Sequence, residues 1–325
     1  MAASGNTFFF PWEVSLMEWM QTHFGDTLIS IMQFFSLFGE ELPLILIVGF
    51  VYWAWDKKLG RSIGLSAIMG LTWGAMLKNI FLRRRPYFDH ESIKILRLPE
   101  PEGGVYDIHA QGYSFPSIHS TNAVTVFGSL AINLRKRWVI TVAIIIPLFT
   151  GISRFVVGAH YPTDVLAGWT LGIISVAIVY LLQKQVKNTL TLYGILLVTA
   201  IPGFFYCRSE DYFTAAGLLL GFMGATLLDD HYVHFENTRK RVWMAARMVG
   251  GLAVYFVLNT VLKLPFSKEF LSNGSTAALL VRCARYVIVT FVDFGVYPML
   301  FKFEKRPHQR DRGPVDPAAE SLPWK

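Results

Sequence analysis

The sequence is poor in charged residues and in cysteine. Asp, Glu, Lys and Arg make up 16% of its 325 residues, whereas soluble domains carry about 25%. This low charge argues against an ordinary soluble domain. Cys207 and Cys283 lie far apart and have no metal-ligand spacing. We interpret them as small apolar residues, with a disulfide as the alternative.

The N-terminal segment lacks a secretory signal. No Lys or Arg precedes position 57, and Glu13 and Glu18 interrupt the apolar residues. Several large apolar side chains can nevertheless share one helical face. They are Trp12, Leu16, Trp19 and Met20. This pattern predicts a helix that lies at a membrane interface and does not span the membrane.

Apolar residues are abundant, at 53% of the chain, and the mean hydropathy is +0.41. Runs of roughly 18 or more apolar residues recur, which is long enough to cross a bilayer. We predict an all-α polytopic membrane helical bundle with about nine transmembrane helices. The candidate spans are residues 41–56, 62–82, 118–134, 138–156, 163–182, 189–206, 212–228, 243–261 and 284–301. Residues 26–39 are predicted to be re-entrant or part of a longer first span.

The formal net charge is +7, but the basic residues do not form one patch with interleaved aromatic residues. They occupy short loops between apolar runs, at residues 57–61, 135–137, 184–187, 239–241 and 302–306. This distribution excludes a nucleic-acid binder and places these loops in the cytoplasm. The N-terminus then faces outward, and an odd number of spans places the C-terminus inside.

The opposite ends of the apolar runs carry three polar segments. In the first, Lys78 and Arg85 are seven residues apart and can share a helical face. Pro86 favours the end of the helix at Arg85. Two cations at a membrane boundary are also typical of side chains that reach for the headgroups, and Arg83 and Arg84 are interpreted in that way.

The second segment, Ser117-Ile118-His119, precedes the third apolar run. Pro116 and Ser117 indicate a helix N-terminus, whose free N–H groups and positive dipole end suit an anion. His119 can exchange a proton near neutral pH. A histidine at a helix start is more often a structural residue, so the segment alone does not establish a site.

The third segment runs from Arg154 through His160 to Asp164. Pro162 suits the first turn of the next helix and places Asp164 where a carboxylate reaches back over the helix start. Asp164 is then close enough to orient His160 and leave one ring nitrogen nucleophilic. The alternative is a capping aspartate next to an unrelated histidine.

Topology joins the three segments. The chain from His119 to Arg154 is long enough to cross about 30 Å of hydrocarbon and return. All three segments therefore meet at one outer face. Cations, histidines and a helix N-terminus in that arrangement predict a phosphate site and not a transition-metal site.

These residues resemble a known signature. Lys78-x6-Arg85-Pro86, Pro116-Ser-Ile-His119 and Ser153-Arg154-x5-His160-x3-Asp164 are similar to the three motifs of the type 2 phosphatidate phosphatase superfamily. That superfamily includes lipid phosphate phosphatases, glucose-6-phosphatase and vanadium haloperoxidases. The long form and the run YSFPSIHS look most like the sphingosine-1-phosphate phosphatase branch.

The resemblance implies a haloperoxidase-like catalytic helix core and specific residue roles. His160 would attack phosphorus, Asp164 would orient it, and His119 would protonate the leaving alkoxide. The phosphate would be held by Lys78, Arg85, Arg154, Ser117 and the amide of Ile118. No metal or cofactor is implied. Ile118 replaces the usual glycine, which permits a helical φ but not a positive one.

The predicted function is hydrolysis of a lipid phosphate monoester or diphosphate at the extracytoplasmic face. Candidate substrates are a sphingoid-base phosphate, phosphatidate, lysophosphatidate and a polyprenyl diphosphate, each presented by the bilayer. Alternatives are a phosphotransferase, a sugar phosphatase and a lipid transporter with a vestigial site. Four regions are predicted: an interfacial or re-entrant segment at 1–40, a catalytic core at 41–183, additional transmembrane helices at 184–303 and a disordered cytoplasmic tail at 304–325.

Overall fold

The computed structural model describes residues 5–96 and 104–305, and within these ranges it is helical, with one isolated β-bridge between Asn6 and Arg83. The first helices are α1 (Pro11–His23), α2 (Asp26–Ser36), α3 (Glu41–Phe50), α4 (Lys57–Phe81), α5 (Pro86–Asp89) and α6 (Ile108–Gln111). Next come α7 (Ile118–Leu134), α8 (Arg137–Val156), α9 (Pro162–Gln185), α10 (Thr189–Ala200) and α11 (Gly203–Tyr206). The last are α12 (Glu210–Leu228), α13 (Arg241–Val261), α14 (Lys268–Ser272) and α15 (Thr276–Phe291). The predicted all-α class is confirmed.

Helix α4 is the central element. It packs against α7 and α9 on one side and against α12 on the other, and α12 pairs in turn with α15. Ile63, Leu65 and Met69 of α4 are fully or almost fully buried. Glycines let neighbouring helices approach closely, as at Gly64, where a Cβ atom would lie 2.7 Å from the ring of Phe222 in α12. Helix α4 therefore lies between a group formed by α7 and α9 and a group formed by α12 and α15.

The predicted number of nine spans is not confirmed. Five helical segments are long and apolar enough to cross a membrane, or six if one bent pair counts as a single span, among the residues that the structure describes. The five are Arg137–Val156, Pro162–Gln185, Thr189–Tyr206, Glu210–Val233 and Arg241–Val261. The predicted spans at 118–134 and 284–301 fall on α7, which has 17 residues, and on α15, which continues into a π-helix at Val292–Val296, and neither is among the five.

The bent pair is the first apolar region of the chain. Asp26–Gly39 and Glu41–Trp55 are both helical, and their axes differ by 52° at a break next to Glu40. Residues 26–39 thus belong to a broken span or a re-entrant loop, which correspond to the two predicted alternatives of a longer first span and a re-entrant segment. The break lies against α7 and α8, so the element turns into the bundle at this point.

Helix α1 has the features of the predicted interfacial helix. Trp12 and Trp19 are each about half exposed, and Phe8, Phe9 and Phe10 just before the helix are also exposed. On the other face of the helix, Met17 is fully buried. Exposed aromatic rings of this kind favour a membrane–water interface.

Both cysteines are free and buried, and they belong to one apolar cluster with Tyr212 and Phe213. The interpretation of Cys207 and Cys283 as apolar residues is therefore confirmed for this structure. The predicted disorder of the C-terminal tail falls, from residue 306 onward, outside the described residues.

Candidate functional site

The three polar segments meet at one end of α4. Lys78 lies in the last turn of α4, Ser117 immediately precedes α7, and His160 lies between α8 and α9. The amide of Ser117 donates to the carbonyl of Asp164 over 3.0 Å, and a guanidinium nitrogen of Arg85 donates to the carbonyl of Ala159 over 3.2 Å. The loops that carry the two histidines and the cations are therefore in direct contact.

His160 is 2% exposed, and its ring is held from the Nδ1 side. Nδ1 lies 2.8 Å from the carbonyl oxygen of Ser114. A carbonyl can only accept, so Nδ1 carries the proton and Nε2 keeps its lone pair. This tautomer leaves the outer ring nitrogen available as a nucleophile.

The sharp turn before His160 depends on a glycine. Gly158 has a φ of +79°, and a Cβ atom there would lie 2.3 Å from the carbonyl oxygen of Lys94. The amides of Ala159 and His160 then donate to the carbonyl of Arg154, which lies in the last turn of α8. Only glycine combines this backbone angle with such a close approach, so the turn fixes where His160 lies relative to Arg154.

Asp164 contacts His160 less directly than the sequence predicts. Its Oδ2 atom is 3.7 Å from His160 Nδ1, farther than the Ser114 carbonyl. Oδ2 accepts instead from the amide of Tyr161 over 2.8 Å and from the Ser114 hydroxyl. Asp164 therefore caps α9, as predicted, and it reaches His160 mainly by fixing Ser114.

Arg83 neutralises Asp164, which the sequence did not predict. Arg83 is 1% exposed, so its interpretation as a headgroup-seeking cation is wrong. Its guanidinium donates to Asp164 Oδ1 over 2.6 Å and to Glu13 Oε2 over 2.9 Å. Its carbon also lies 4.0 Å from the centre of the Tyr161 ring, so the cation is enclosed on several sides.

Glu13 completes this buried network and ties α1 to the site. It is fully buried, and Oε1 accepts from the amide and the hydroxyl of Thr163 over 3.0 and 2.6 Å. Oε2 accepts from the amide of Phe10 over 2.8 Å. One carboxylate thus caps the N-termini of both α1 and α9, where helix dipoles favour negative charge.

The start of α7 lies in the second polar segment and is capped by Ser117. Ser117 is fully buried, and its Oγ accepts from the hydroxyl of Ser120 over 2.9 Å and from the Ser120 amide over 3.4 Å. Ser117 is therefore the N-cap of the helix. The first amides of the helix, at Ile118 and His119, have no partner within the helix itself and suit an anion.

Ile118 adopts the helical conformation that its side chain requires, since α7 begins at this residue. Its Cδ1 atom packs against Gly74 of α4. A Cβ atom on residue 74 would lie only 2.3 Å from that Cδ1 atom. The isoleucine side chain is accommodated by the neighbouring helix, and its amide stays at the helix N-terminus.

Arg85 is 6% exposed and is held by backbone carbonyls. Its guanidinium donates to the carbonyls of Gln111 and Gly112, the latter over 3.0 Å, as well as to Ala159. It therefore joins the loop before α7 to the loop before α9. These contacts place a permanent positive charge beside His160.

Lys78 and Arg154 are also almost fully buried, at 7% and 2% exposure. Lys78 Nζ lies 3.2 Å from Asp211 Oδ2, at the start of α12. The guanidinium of Arg154 donates to the hydroxyl of Ser36, in α2. Helices from outside the three sequence segments thus supply partners to the predicted phosphate-binding cations.

His119 also has a partner that sequence reasoning missed. Its Nε2 atom lies 2.9 Å from Glu40 Oε1, at the break between α2 and α3. Neither Ser36, Glu40 nor Asp211 stands next to a motif in the sequence, so no local signal could have identified them. Glu13 was noted only as a charge within an apolar segment.

The electrostatic environment sets the protonation of His160. Burial, followed by the positive charges of Arg85, Arg154 and Lys78, holds the pKa of His160 well below its ordinary value. A lowered pKa means that the ring is neutral at pH 7 and remains neutral on moderate acidification. The nucleophilic form is therefore the resting form of this residue.

Two family models match the chain. Residues 59–187 match the PAP2 superfamily, and residues 213–306 match the transmembrane extension of PAP2 superfamily phosphatases. The first match contains all the predicted site residues, and the second contains most of α12 together with α13 to α15.

The chain is similar to several curated proteins. An undecaprenyl-diphosphatase of Sulfolobus acidocaldarius is 29% identical over 168 residues, which are 50% of this chain and 72% of the relative. The undecaprenyl-diphosphatase BcrC of Bacillus subtilis is 28% identical over 157 residues, 47% of this chain and 74% of the relative. Phosphatidylglycerophosphatase B of Bacillus subtilis is 34% identical over 90 residues, 25% of this chain and 44% of the relative.

No solved structure matches the chain. The two family models together cover more than half of its length. With its apolar helices and its transmembrane extension, the chain belongs to the PAP2 superfamily of membrane proteins.

Proposed function

We propose that the chain is a membrane lipid phosphatase that transfers a phosphoryl group first to His160 and then to water. The observation that carries this proposal is the state of His160. Its Nδ1 is occupied by the Ser114 carbonyl, and its neutral ring is surrounded by the charges of Arg85, Arg154 and Lys78. A neutral nucleophile next to fixed cations suits attack on an anionic phosphorus centre.

In the first step, Nε2 of His160 forms a bond to phosphorus and the bond to the leaving oxygen breaks. His119 gives a proton to that oxygen, so the alcohol or lipid phosphate departs in a neutral or singly protonated form. Charge that develops on the equatorial oxygens is stabilised by Lys78, Arg85 and Arg154 and by the amides of Ile118 and His119. Ser117 holds those amides in place by capping α7.

In the second step, water attacks phosphorus and gives a proton to His119. The bond from phosphorus to His160 breaks, and inorganic phosphate leaves. Asp164 keeps Ser114 and therefore His160 in position throughout. Each partner ends in its starting protonation state, and the protein residues alone supply the proton transfers, so we propose a metal-independent reaction.

The membrane setting supports a lipid as the substrate. A lipid tail can remain in hydrocarbon while its headgroup reaches the end of α4, where the cations lie. The named activities of the relatives on undecaprenyl diphosphate and phosphatidylglycerophosphate support the same class. Within this class we keep a polyprenyl diphosphate, phosphatidate, lysophosphatidate and a sphingoid-base phosphate as candidates.

We further propose that the site faces the extracytoplasmic side. The basic residues Lys57 and Arg61, which the sequence predicts in a loop, lie in the first turns of α4, at its other end, and pair with Asp229 and Asp230. Basic loops favour the cytoplasm, which leaves the end with Lys78 outside. The catalytic core would extend over residues 41–183 and the additional helices over 184–303, with a cytoplasmic C-terminus.

Phosphate release from a lipid panel in detergent tests the proposed activity. We expect the purified chain to release phosphate from at least one of the candidate lipids, at a rate that EDTA does not change. Glucose 6-phosphate serves as the matched non-lipid substrate and should be a poor one. An added acceptor alcohol separates hydrolysis from phosphotransfer. Release only from the sugar, or loss of activity in EDTA, would contradict the proposal.

A further inference from the structure

The break between α2 and α3 brings a carboxylate to one of the two site histidines. Glu40 is the N-cap residue of α3, and its Oε1 atom lies 2.9 Å from Nε2 of His119. Residue 40 precedes both segments that the family models match. The contact therefore involves a residue outside both matched segments.

The backbone around Glu40 is fixed against α7. At Gly39 a Cβ atom would lie 2.6 Å from the Cβ of His119, so no larger residue fits between the break and the histidine. The carbonyl of Gly39 accepts from the side-chain amide of Asn122 over 3.2 Å. On the preceding turn, the carbonyl of Phe35 accepts from the hydroxyl of Thr150 over 3.0 Å. The break is thus anchored to both α7 and α8.

The proposed reaction requires His119 to hold a proton that it can give away. Its surroundings oppose this state, because burial and the positive charges of Arg154 and Arg85 lower the pKa of His119 to about 4. A carboxylate within ion-pair distance has the opposite effect and also fixes the ring orientation. Glu40 is the group that the structure places there.

We propose that Glu40 is a positioning residue that orients His119 and favours its protonated form for departure of the leaving group. This inference rests on the proposed function. The protonated ring of His119 gives one proton to the leaving oxygen. The phosphorus–oxygen bond breaks as the bond to His160 forms, and water returns the proton to His119 in the second step.

The dependence on the leaving group distinguishes this role from a structural one. An alkyl phosphate releases a strongly basic alkoxide, which needs a proton as it leaves. The nitrophenolate from p-nitrophenyl phosphate is stable without one. A residue that acts through the acid is therefore important for the first substrate and nearly unimportant for the second.

The test compares Glu40→Gln with the native chain on decyl phosphate and on p-nitrophenyl phosphate. We expect kcat/KM for the alkyl ester to fall about tenfold or more, and kcat/KM for the aryl ester to change less than about twofold. The ratio kcat/KM is chosen because it reports only the steps up to departure of the leaving group. Slow hydrolysis of the phosphohistidine would affect kcat alone.

Glu41→Gln is the matched control. Glu41 is the next residue, but its Oε1 accepts from the hydroxyl of Tyr255 over 2.8 Å. This variant should retain the native ratio between the two substrates. Equal losses on both substrates in Glu40→Gln, or no loss on either, would overturn the role of Glu40. A native chain that hydrolyses neither substrate would instead overturn the proposed function.

Discussion

The His160→Ala variant is expected to lose phosphatase activity by a factor of about 10⁴ or more in kcat. Alanine removes the atom that bonds to phosphorus, so no other residue can perform the first step. The surrounding cations remain, and they should still bind the substrate. The loss is therefore expected in kcat and not in KM. Initial rates with the best lipid of the panel provide the measurement.

A histidine from the other end of the molecule gives the matched control. His231 has an exposed ring whose Nδ1 lies 2.9 Å from the carbonyl of Leu227, in the region that follows α12. His231→Ala should keep native activity. If His160→Ala retained more than a small fraction of the native rate, the assignment of the nucleophile would be wrong.

Arg83→Met is expected to lower the free energy of unfolding by about 3–5 kcal/mol. The variant leaves the carboxylates of Glu13 and Asp164 buried without their shared cation, and both are fully buried. Removing one partner of a buried ion pair costs far more stability than replacing both partners by apolar residues. The measurement is the unfolding of the purified protein in detergent.

The neighbouring arginine separates this effect from a general loss of charge. Arg84 pairs with Asp89, and its side chain is 19% exposed. Because this pair retains some solvent contact and involves a single carboxylate, Arg84→Met should lower the free energy of unfolding clearly less than Arg83→Met does. Equal stability of the two variants would show that the network of Glu13, Arg83 and Asp164 does not anchor α1 to α9.

The variant Arg83→Met should also slow the reaction. Asp164 holds the Ser114 hydroxyl, and the Ser114 carbonyl holds Nδ1 of His160. When Asp164 loses its guanidinium partner, its carboxylate holds Ser114 less firmly, and Ser114 in turn holds the ring of His160 less firmly. Activity should therefore fall at temperatures at which the variant is still folded.

Local sequence signals predicted the parts of the site that lie at helix ends. Pro162 does occupy the first turn of α9, with Asp164 capping it, and α7 does begin after Ser117. Proline and serine have strong local preferences at these positions. The spacing of the apolar runs then sufficed to predict that the segments with Lys78, His119 and His160 meet.

Residues that act through distant partners were not predictable in this way. Glu13 meets Arg83 across 70 positions of sequence, and Glu40 meets His119 only because the chain bends next to it. Neither contact follows from a helical period or a turn preference. The interpretation of Arg83 failed for the same reason, since burial of a cation depends on carboxylates supplied from elsewhere.

The number of nine spans that the apolar runs predict is not confirmed, since five or six segments of the described residues are long and apolar enough to cross a membrane. The apolar runs at 118–134 and 284–301 fall on α7, which has 17 residues, and on α15 with the π-helix that continues it, and both lie among the packed helices of the bundle. The apolar residues of α7 serve contacts with α4, α8 and α9. A buried helix and a membrane span have similar compositions, so a single sequence does not distinguish them.

Trapping of the phosphorylated protein tests most directly whether His160 is the nucleophile. The chain is mixed with a labelled lipid phosphate, quenched in alkali, in which phosphohistidine survives, and digested for mass spectrometry. In the native protein we predict phosphate on the peptide that contains His160. In the variant His119→Ala, with a nitrophenyl ester as the phosphate donor, we predict a higher occupancy of phosphate on the same peptide. Phosphate on any other residue, or hydrolysis by His160→Ala at the native rate, would contradict the proposed mechanism.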